Sequence, residues 1–294
     1  MGSARSILLV CALAAVCCGC GGGARAAFVD VDAEFDRCVL LRKEGRHAEA
    51  AAAFTQFAVK FEHDGRADYA QYLSGEEYRA AGQDEAAFEA YSKLFANFRH
   101  SAYLSNANER CLEMAKGLLA GGDSRGVRFL DQVTYRSPYG EQSARAHMML
   151  GNHYYAQARF ADAKVSFDAI ANEHRGSRLV AKAALGAALC EYRQIDRPAR
   201  NMAHAAAARE RLRKLRTAPL SADEMSLVDK YLAEVIDLIA ERQLLMARFH
   251  LKQGELAPAL VYLRDIIENY RTSRYSRAAA ELVLYIHEQS MERK

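Results

Sequence analysis

Tryptophan is absent from this chain, and proline occurs only four times in 294 residues. With apolar residues at 51%, so little proline argues against long disordered stretches and for a chain that can bury a core. Excess charge is also lacking. A net charge of +3 is too small to imply nucleic-acid binding by itself. Cysteine gives no disulfide framework. Four of the seven cysteines lie within the first twenty residues, and the remaining Cys38, Cys111 and Cys190 are odd in number and far apart. Each falls in a helical pattern and reads as a small buried hydrophobe. The motifs of catalysis are missing as well. None of the nine histidines has the HExxH spacing of a metal site, and His147, His153 and His250 read as packing residues. The glycine-rich residues 117–126 lack the GK[S/T] of a phosphate loop and read as a turn, and no Ser-His-Asp arrangement stands out. The expectation is a chain with no catalytic site, cofactor or metal.

What is present begins with a targeting segment. Arg5 provides a positive start, and residues 7–16 form an apolar run too short to span a bilayer as a mature helix. Residues 1–19 read as a signal peptide. Gly19-Cys20 resembles a lipobox, with Cys20 lipidated and residues 20–29, including Gly21 to Gly23, forming a flexible tether. Cys17 stands where a lipobox usually has leucine. Ala24-Arg25-Ala26 also fits ordinary signal-peptidase cleavage, which would release a soluble periplasmic protein.

Internal repetition sets the fold. Gly75, Tyr78, Gly82, Ala87 and Tyr91 recur at the same offsets as Gly151, Tyr154, Ala158, Ala163 and Phe167. Cys38, Leu41, Gly45, Ala50 and Phe54 fit the same grid, as do Ala247, His250, Gly254, Ala259 and Leu263. Small residues on both helices of a pair let the backbones cross closely, so Gly75, Gly151 and Ala247 are expected opposite Ala87, Ala163 and Ala259, with aromatic rings filling the wedge on either side. Gly45, Gly82 and Gly254 are placed to end first helices in the left-handed conformation. The pattern predicts an irregular third pair over residues 106–120 and 124–136, and a further pair over 178–193 and 198–216. A capping box at Ser221-Ala222-Asp223-Glu224 should start a helix running to about Gln253, roughly 45 Å long, and the last helix covers 275–288. The expected fold is an all-α, TPR-like α-solenoid of about six helix pairs with one long helix near the C-terminus, divided into N-terminal repeats at 30–140 and C-terminal repeats at 141–294.

The grid resembles tetratricopeptide repeats. Two stretches, residues 144–177 (ARAHMMLGNHYYAQARFADAKVSFDAIANEHRGS) and 231–283 (ending LKQGELAPALVYLRDIIENYRTSRYSRAAAELV), resemble the BamD family of outer-membrane assembly lipoproteins. Arginine replaces that family's usual proline in Phe98-Arg99-His100-Ser101, His174-Arg175-Gly176-Ser177 and Tyr270-Arg271-Thr272-Ser273, which points to a distant member. The resemblance implies a lipid-anchored scaffold on the periplasmic face of the outer membrane. Its partners would be the β-barrel insertase and unfolded barrel substrates; nucleic acid is not among them.

Two features suit binding. Helical phase puts Phe35, Arg42, Tyr69, Tyr72, Glu76 and Arg79, and later Asn152 and Tyr155, on the face formed by the first helices, where a partner would dock. Tyr69 and Tyr72 also suit packing between adjacent repeats. The second feature is a basic helix with Arg200, Arg209, Arg211, Arg213, Lys214 and Arg216, which fits either lipid headgroups and an acidic partner or a solvated face.

Overall fold

The computed structural model describes residues 30–196 and 202–292. The signal peptide, Cys20, the tether, Ala26, Pro198 and Arg200 lie outside the described residues. Within them thirteen α-helices follow one another, with no strand. They are α1 (Val31–Lys43), α2 (His47–Lys60), α3 (Ala67–Ala80), α4 (Asp84–Asn97), α5 (Leu104–Ala120), α6 (Arg125–Arg136), α7 (Glu141–Ala156), α8 (Phe160–Glu173), α9 (Val180–Arg193), α10 (Ala203–Leu215), α11 (Ala222–Lys252), α12 (Leu256–Asn269) and α13 (Ser276–Glu292). Each helix packs mainly on the one before and the one after, so the chain is an α-solenoid of six pairs closed by α13. The irregular third pair is α5 and α6, and the long helix is α11.

The turns explain where helices stop. After α1 the chain turns at Gly45 with φ +73°, and Arg46 N–H reaches back to the Leu41 carbonyl at 3.0 Å. Gly82 and Gly254, at φ +71° and +79°, do the same after α3 and α11, with Gln83 N–H on Tyr78 and Glu255 N–H on His250. The fourth pair makes this turn without glycine. Ala158 sits at φ +57° and is exposed, and Arg159 N–H still bonds the Tyr154 carbonyl at 2.9 Å. A left-handed alanine costs about 1–2 kcal/mol, partly offset by the lower freedom of alanine in the unfolded chain. Ala158→Gly should therefore stabilise the protein by roughly 0.5–1 kcal/mol, read as a rise in thermal midpoint, while Ala156→Gly within α7 should lower it.

Second helices end at a different device. Phe61, Phe98, His174 and Tyr270 cap α2, α4, α8 and α12. Ser101, Ser177 and Ser273 then accept the backbone N–H of Tyr103, Leu179 and Tyr275 at 3.1, 3.1 and 3.2 Å. The serine hydroxyl starts the next helix, so arginine in place of proline leaves the turn intact. α11 opens with the expected capping box: Ser221 Oγ accepts Glu224 N–H at 3.2 Å, and the Glu224 carboxylate accepts Ser221 N–H at 3.0 Å.

The core runs along the array in three overlapping clusters, from Cys38 to Leu150, from Ala144 to Cys190 and from Leu185 to Ile286. Ala50, Ala87, Ala163 and Ala259 are fully buried within it. What lies nearest the crossing glycines Gly75 and Gly151 is in each case a ring. A side chain at Gly151 would strike the ring of Phe167, with Cε1 at 2.5 Å, and one at Gly75 would strike the ring of Tyr91. Alanine on the second helix permits the approach, and the ring one turn further on occupies the space the glycine leaves. In the glycine-rich stretch only Gly121 and Gly122 form a turn; Gly117 and Gly126 lie inside α5 and α6, and Gly126 lets α6 approach Leu119 and the Ala115 carbonyl.

Candidate functional site

The first helices α1, α3, α5, α7, α9 and α11 are linked in succession by polar side chains. Arg42 Nε meets Glu77 at 2.8 Å, Arg110 Nε meets Glu76 at 3.2 Å and Arg145 meets Glu109 at 2.6 Å. Arg193 Nε donates to Tyr155 Oη at 3.0 Å, and Tyr192 Oη donates to Glu234. Ser273 Oγ then donates to Asp237 of α11 at 2.7 Å, which fixes the approach to α13. The helical phase that put Arg42, Glu76 and Tyr155 on one face therefore also puts them between neighbouring repeats.

The predicted residues fall into distinct groups. Glu76 is the hub of the first: it accepts Tyr91 Oη at 2.5 Å and pairs with Arg110 and Arg79, the latter at 3.5 Å. Burial, reinforced by the Glu76 carboxylate, pushes the Tyr91 phenol far above its ordinary pKa, so it stays a donor. Tyr69 and Tyr72 stack on Tyr103, ring centres 4.9 and 5.3 Å apart, and Tyr72 is buried. These two tyrosines thus pack the second pair against the start of the third. Phe35 lies edge-on to Phe54 and Phe57, at 6.0 and 5.1 Å, with the Arg66 guanidinium over its ring. Asn152 is exposed on α7, and Tyr155 lies half-buried against Phe160. Of these, Arg42 and Asn152 are exposed, and Arg79 is half-buried, its Nε shielded from solvent without a hydrogen-bond partner.

Two buried glutamates brace the array. Glu77 is held by Arg42 and by His47 Nδ1 at 2.7 Å, and Glu191 by Lys164 at 2.8 Å and His204 Nδ1 at 2.6 Å. Burial pushes the Glu191 carboxyl up, but the bonds to His204 and Lys164 outweigh it and hold its pKa below the ordinary value. Sequence reading missed both, although each precedes a tyrosine and an arginine at the end of a first helix.

The basic helix is a paired surface. Arg211 makes a bidentate pair with Asp168 at 2.7 and 2.9 Å, Arg213 and Lys214 meet Glu210, Arg216 meets Asp229, and Arg209 covers the Tyr270 ring at 4.8 Å. Cys38, Cys111 and Cys190 are buried free thiols. Burial pushes Cys111 and Cys190 up to about 12, so neither is a thiolate at neutral pH. His250 stacks on Tyr262 and bonds Glu255 at 2.6 Å, and His153 meets Gln157 at 3.0 Å. His147 is different: it lies beside Glu173 and His174, and burial pushes its pKa below the ordinary histidine value.

The exposed apolar side chains concentrate toward the C-terminal end. Leu245 and Phe249, one turn apart on α11, are each 54% exposed, and Val261, Leu284, Tyr285 and Met291 are exposed on α12 and α13. Tyr135 and Tyr139 are exposed at the junction of α6 and α7. Among the described residues no helix is long and apolar enough to cross a membrane.

Comparison with known proteins adds three findings. Similar solved structures include a tetratricopeptide repeat protein from Parabacteroides merdae, at 13% identity over 87% of this chain and 98% of that one with a TM-score of 0.35. Another is the apo form of RapI, at 14% identity over 86% of this chain and 99% of that one with a TM-score of 0.31. No curated protein matches this chain in sequence. A family model described as "YfiO: Outer membrane lipoprotein" matches residues 120–293, a span that holds both stretches read above as BamD-like. Covering more than half of the chain, that match means the protein belongs to the YfiO outer-membrane lipoprotein family, the family of BamD.

Proposed function

We propose that this protein is a lipid-anchored scaffold on the periplasmic face of the outer membrane that serves the β-barrel assembly machinery by holding other proteins. The observation that carries the reading is the family match over residues 120–293, which spans the helices where exposed apolar side chains concentrate. In this reading the C-terminal helices α11 to α13 hold the barrel insertase. The first-helix face of the N-terminal pairs, with Arg42, Glu76, Arg79 and, further on, Asn152 and Tyr155, meets unfolded barrel substrates or accessory subunits. Phe35, Tyr69 and Tyr72 shape that face from behind by packing the pairs together.

Anchoring is tested at Cys20. Cys20→Ala should abolish labelling with a palmitate analogue and release the protein from membranes. If the wild type takes no label and both forms fractionate alike, cleavage after Ala26 is the correct processing. The chain would then be a soluble periplasmic repeat protein, of the kind that coordinates envelope constriction or cell-wall synthesis.

A further inference from the structure

The fourth helix pair departs from its sisters at three positions that fall together in space. Four residues before the small residue at the helix crossing, the second and sixth pairs carry Gln71 and Gln243, and the fourth carries His147. At the last residue of the second helix those pairs carry Asn97 and Asn269, and the fourth carries Glu173. At the cap they carry the aromatic plugs Phe98 and Tyr270, and the fourth carries His174. The first pair shows that two of these positions adjoin, because Glu34 and Lys60 stand there as an ion pair at 3.2 Å. The amide positions are satisfied within the fold: Gln71 donates to the Ala90 carbonyl at 2.9 Å and Gln243 to Asp265 at 2.7 Å.

In the fourth pair a ring nitrogen of His147, a carboxylate oxygen of Glu173 and a ring nitrogen of His174 all lie within 4.8 Å of one another. The two rings are 6.0 Å apart, centre to centre. His174 is only 6% exposed, and its Nε2 is shielded from solvent with no hydrogen-bond partner. A plug needs no polar nitrogen, and a phenylalanine fills the same slot in the second pair. Stranding one there is unfavourable unless something bonds to it. Ser143 Oγ, one turn before His147 on α7, is also buried without a partner.

We propose that His147, Glu173 and His174 form a binding site for a divalent transition metal of the zinc type. Two imidazoles and one carboxylate suit zinc or cobalt, whereas calcium and magnesium require oxygen donors throughout. Zinc bonds of about 2.0–2.2 Å place donors roughly 3.3 Å apart on a tetrahedron, so the site needs a modest closure. Glu173 is exposed and can swing its carboxylate inward. Three protein ligands leave a fourth position for water. The bound ion ties α7 to the end of α8, and coordination through Nε2 would give the stranded nitrogen its partner. This inference concerns one helix pair and stands apart from the assembly role proposed above.

The test uses the full chain without a histidine tag, stripped with a chelator and titrated with Zn²⁺ or Co²⁺ alone. One equivalent should bind, Co²⁺ should develop the visible absorption of a four- or five-coordinate ion, and a hundredfold excess of Zn²⁺ over Kd should raise the melting temperature by about 5–10 °C. His147→Gln with Glu173→Asn and His174→Phe installs the residues of the second pair. This variant should fold without metal at least as stably as the stripped wild type and lose both the absorption and the shift. If it fails to fold, His147→Gln alone must weaken Zn²⁺ binding at least tenfold. A stripped wild type that takes up neither ion, or variants that bind as the wild type does, would overturn the proposal.

Discussion

Replacing Gly151 by leucine should lower the melting temperature by about 6–12 °C, whereas leucine at the adjacent Asn152 should move it by less than about 2 °C. The two positions are neighbours on α7 with opposite surroundings. Asn152 is exposed. Gly151 is buried, and a Cβ there would lie 2.5 Å from Phe167 Cε1 and 2.7 Å from Cδ1. Phe167 has nowhere to retreat, because Gly186 of α9 presses its other side, where a Cβ would lie 2.8 Å from Cε2. The ring is held between glycines of two successive first helices. It therefore locks the fourth pair to the fifth as well as α7 to α8.

That arrangement makes the outcome specific. Overpacking costs about 1–3 kcal/mol where neighbours can shift, and a ring clamped from both sides stands at the upper end. Shrinking the ring should relieve the clash, so Phe167→Leu combined with Gly151→Ala should be less destabilising than the sum of the single changes. Urea or thermal unfolding followed by circular dichroism measures both. Equal melting temperatures for Gly151→Leu and Asn152→Leu would mean that the repeat register is misassigned.

How much was legible in the sequence follows from which contacts are local. Helix ends were readable because the left-handed turns at Gly45, Gly82 and Gly254 and the capping box at Ser221 are made by residues a few positions apart. Ala158 was readable as a turn only through the repeat, since nothing local distinguishes it from the helical alanines around it. The partner of Gly151 was missed because grid spacing orders residues along the chain, while the clamp on Phe167 depends on Gly186 in the next pair. Among the surface candidates, helical phase put Arg42 and Glu76 on the first-helix face. It could not separate outward side chains from those bridging to the next first helix, because both leave the helix in nearly the same direction. Tyr69 and Tyr72 depend on Tyr103, which the grid did not single out. His147, Glu173 and His174 carry no local motif, because one helix provides the first and the end of another provides the other two. Comparison of corresponding positions across the repeats could have found them.

Capture of the barrel insertase should be lost when residues 275–294 are removed, and should drop by more than about tenfold when Leu245 and Phe249 are both changed to aspartate. The truncation removes α13, whose Ala279 and Ile286 are buried in the C-terminal cluster, so it uncovers apolar surface and requires a folding check. The paired substitution avoids that difficulty. Both side chains are 54% exposed and one turn apart on α11, so aspartate there leaves the interior untouched while placing two charges on the apolar strip a partner would cover. Arg42→Ala with Arg79→Ala lies several pairs away. Because each pair contacts chiefly its neighbours, that change should leave insertase capture intact and reduce barrel assembly in cells. Arg42 also pairs with the buried Glu77, so circular dichroism must match the wild type for this variant too. Co-purification from detergent-solubilised envelopes measures capture, and the amount of folded barrel protein in the outer membrane measures assembly. Undiminished capture by a folded aspartate double variant would remove the insertase from α11. Lost capture in the folded arginine variant would move it to the N-terminal pairs, with the family assignment unaffected in either case.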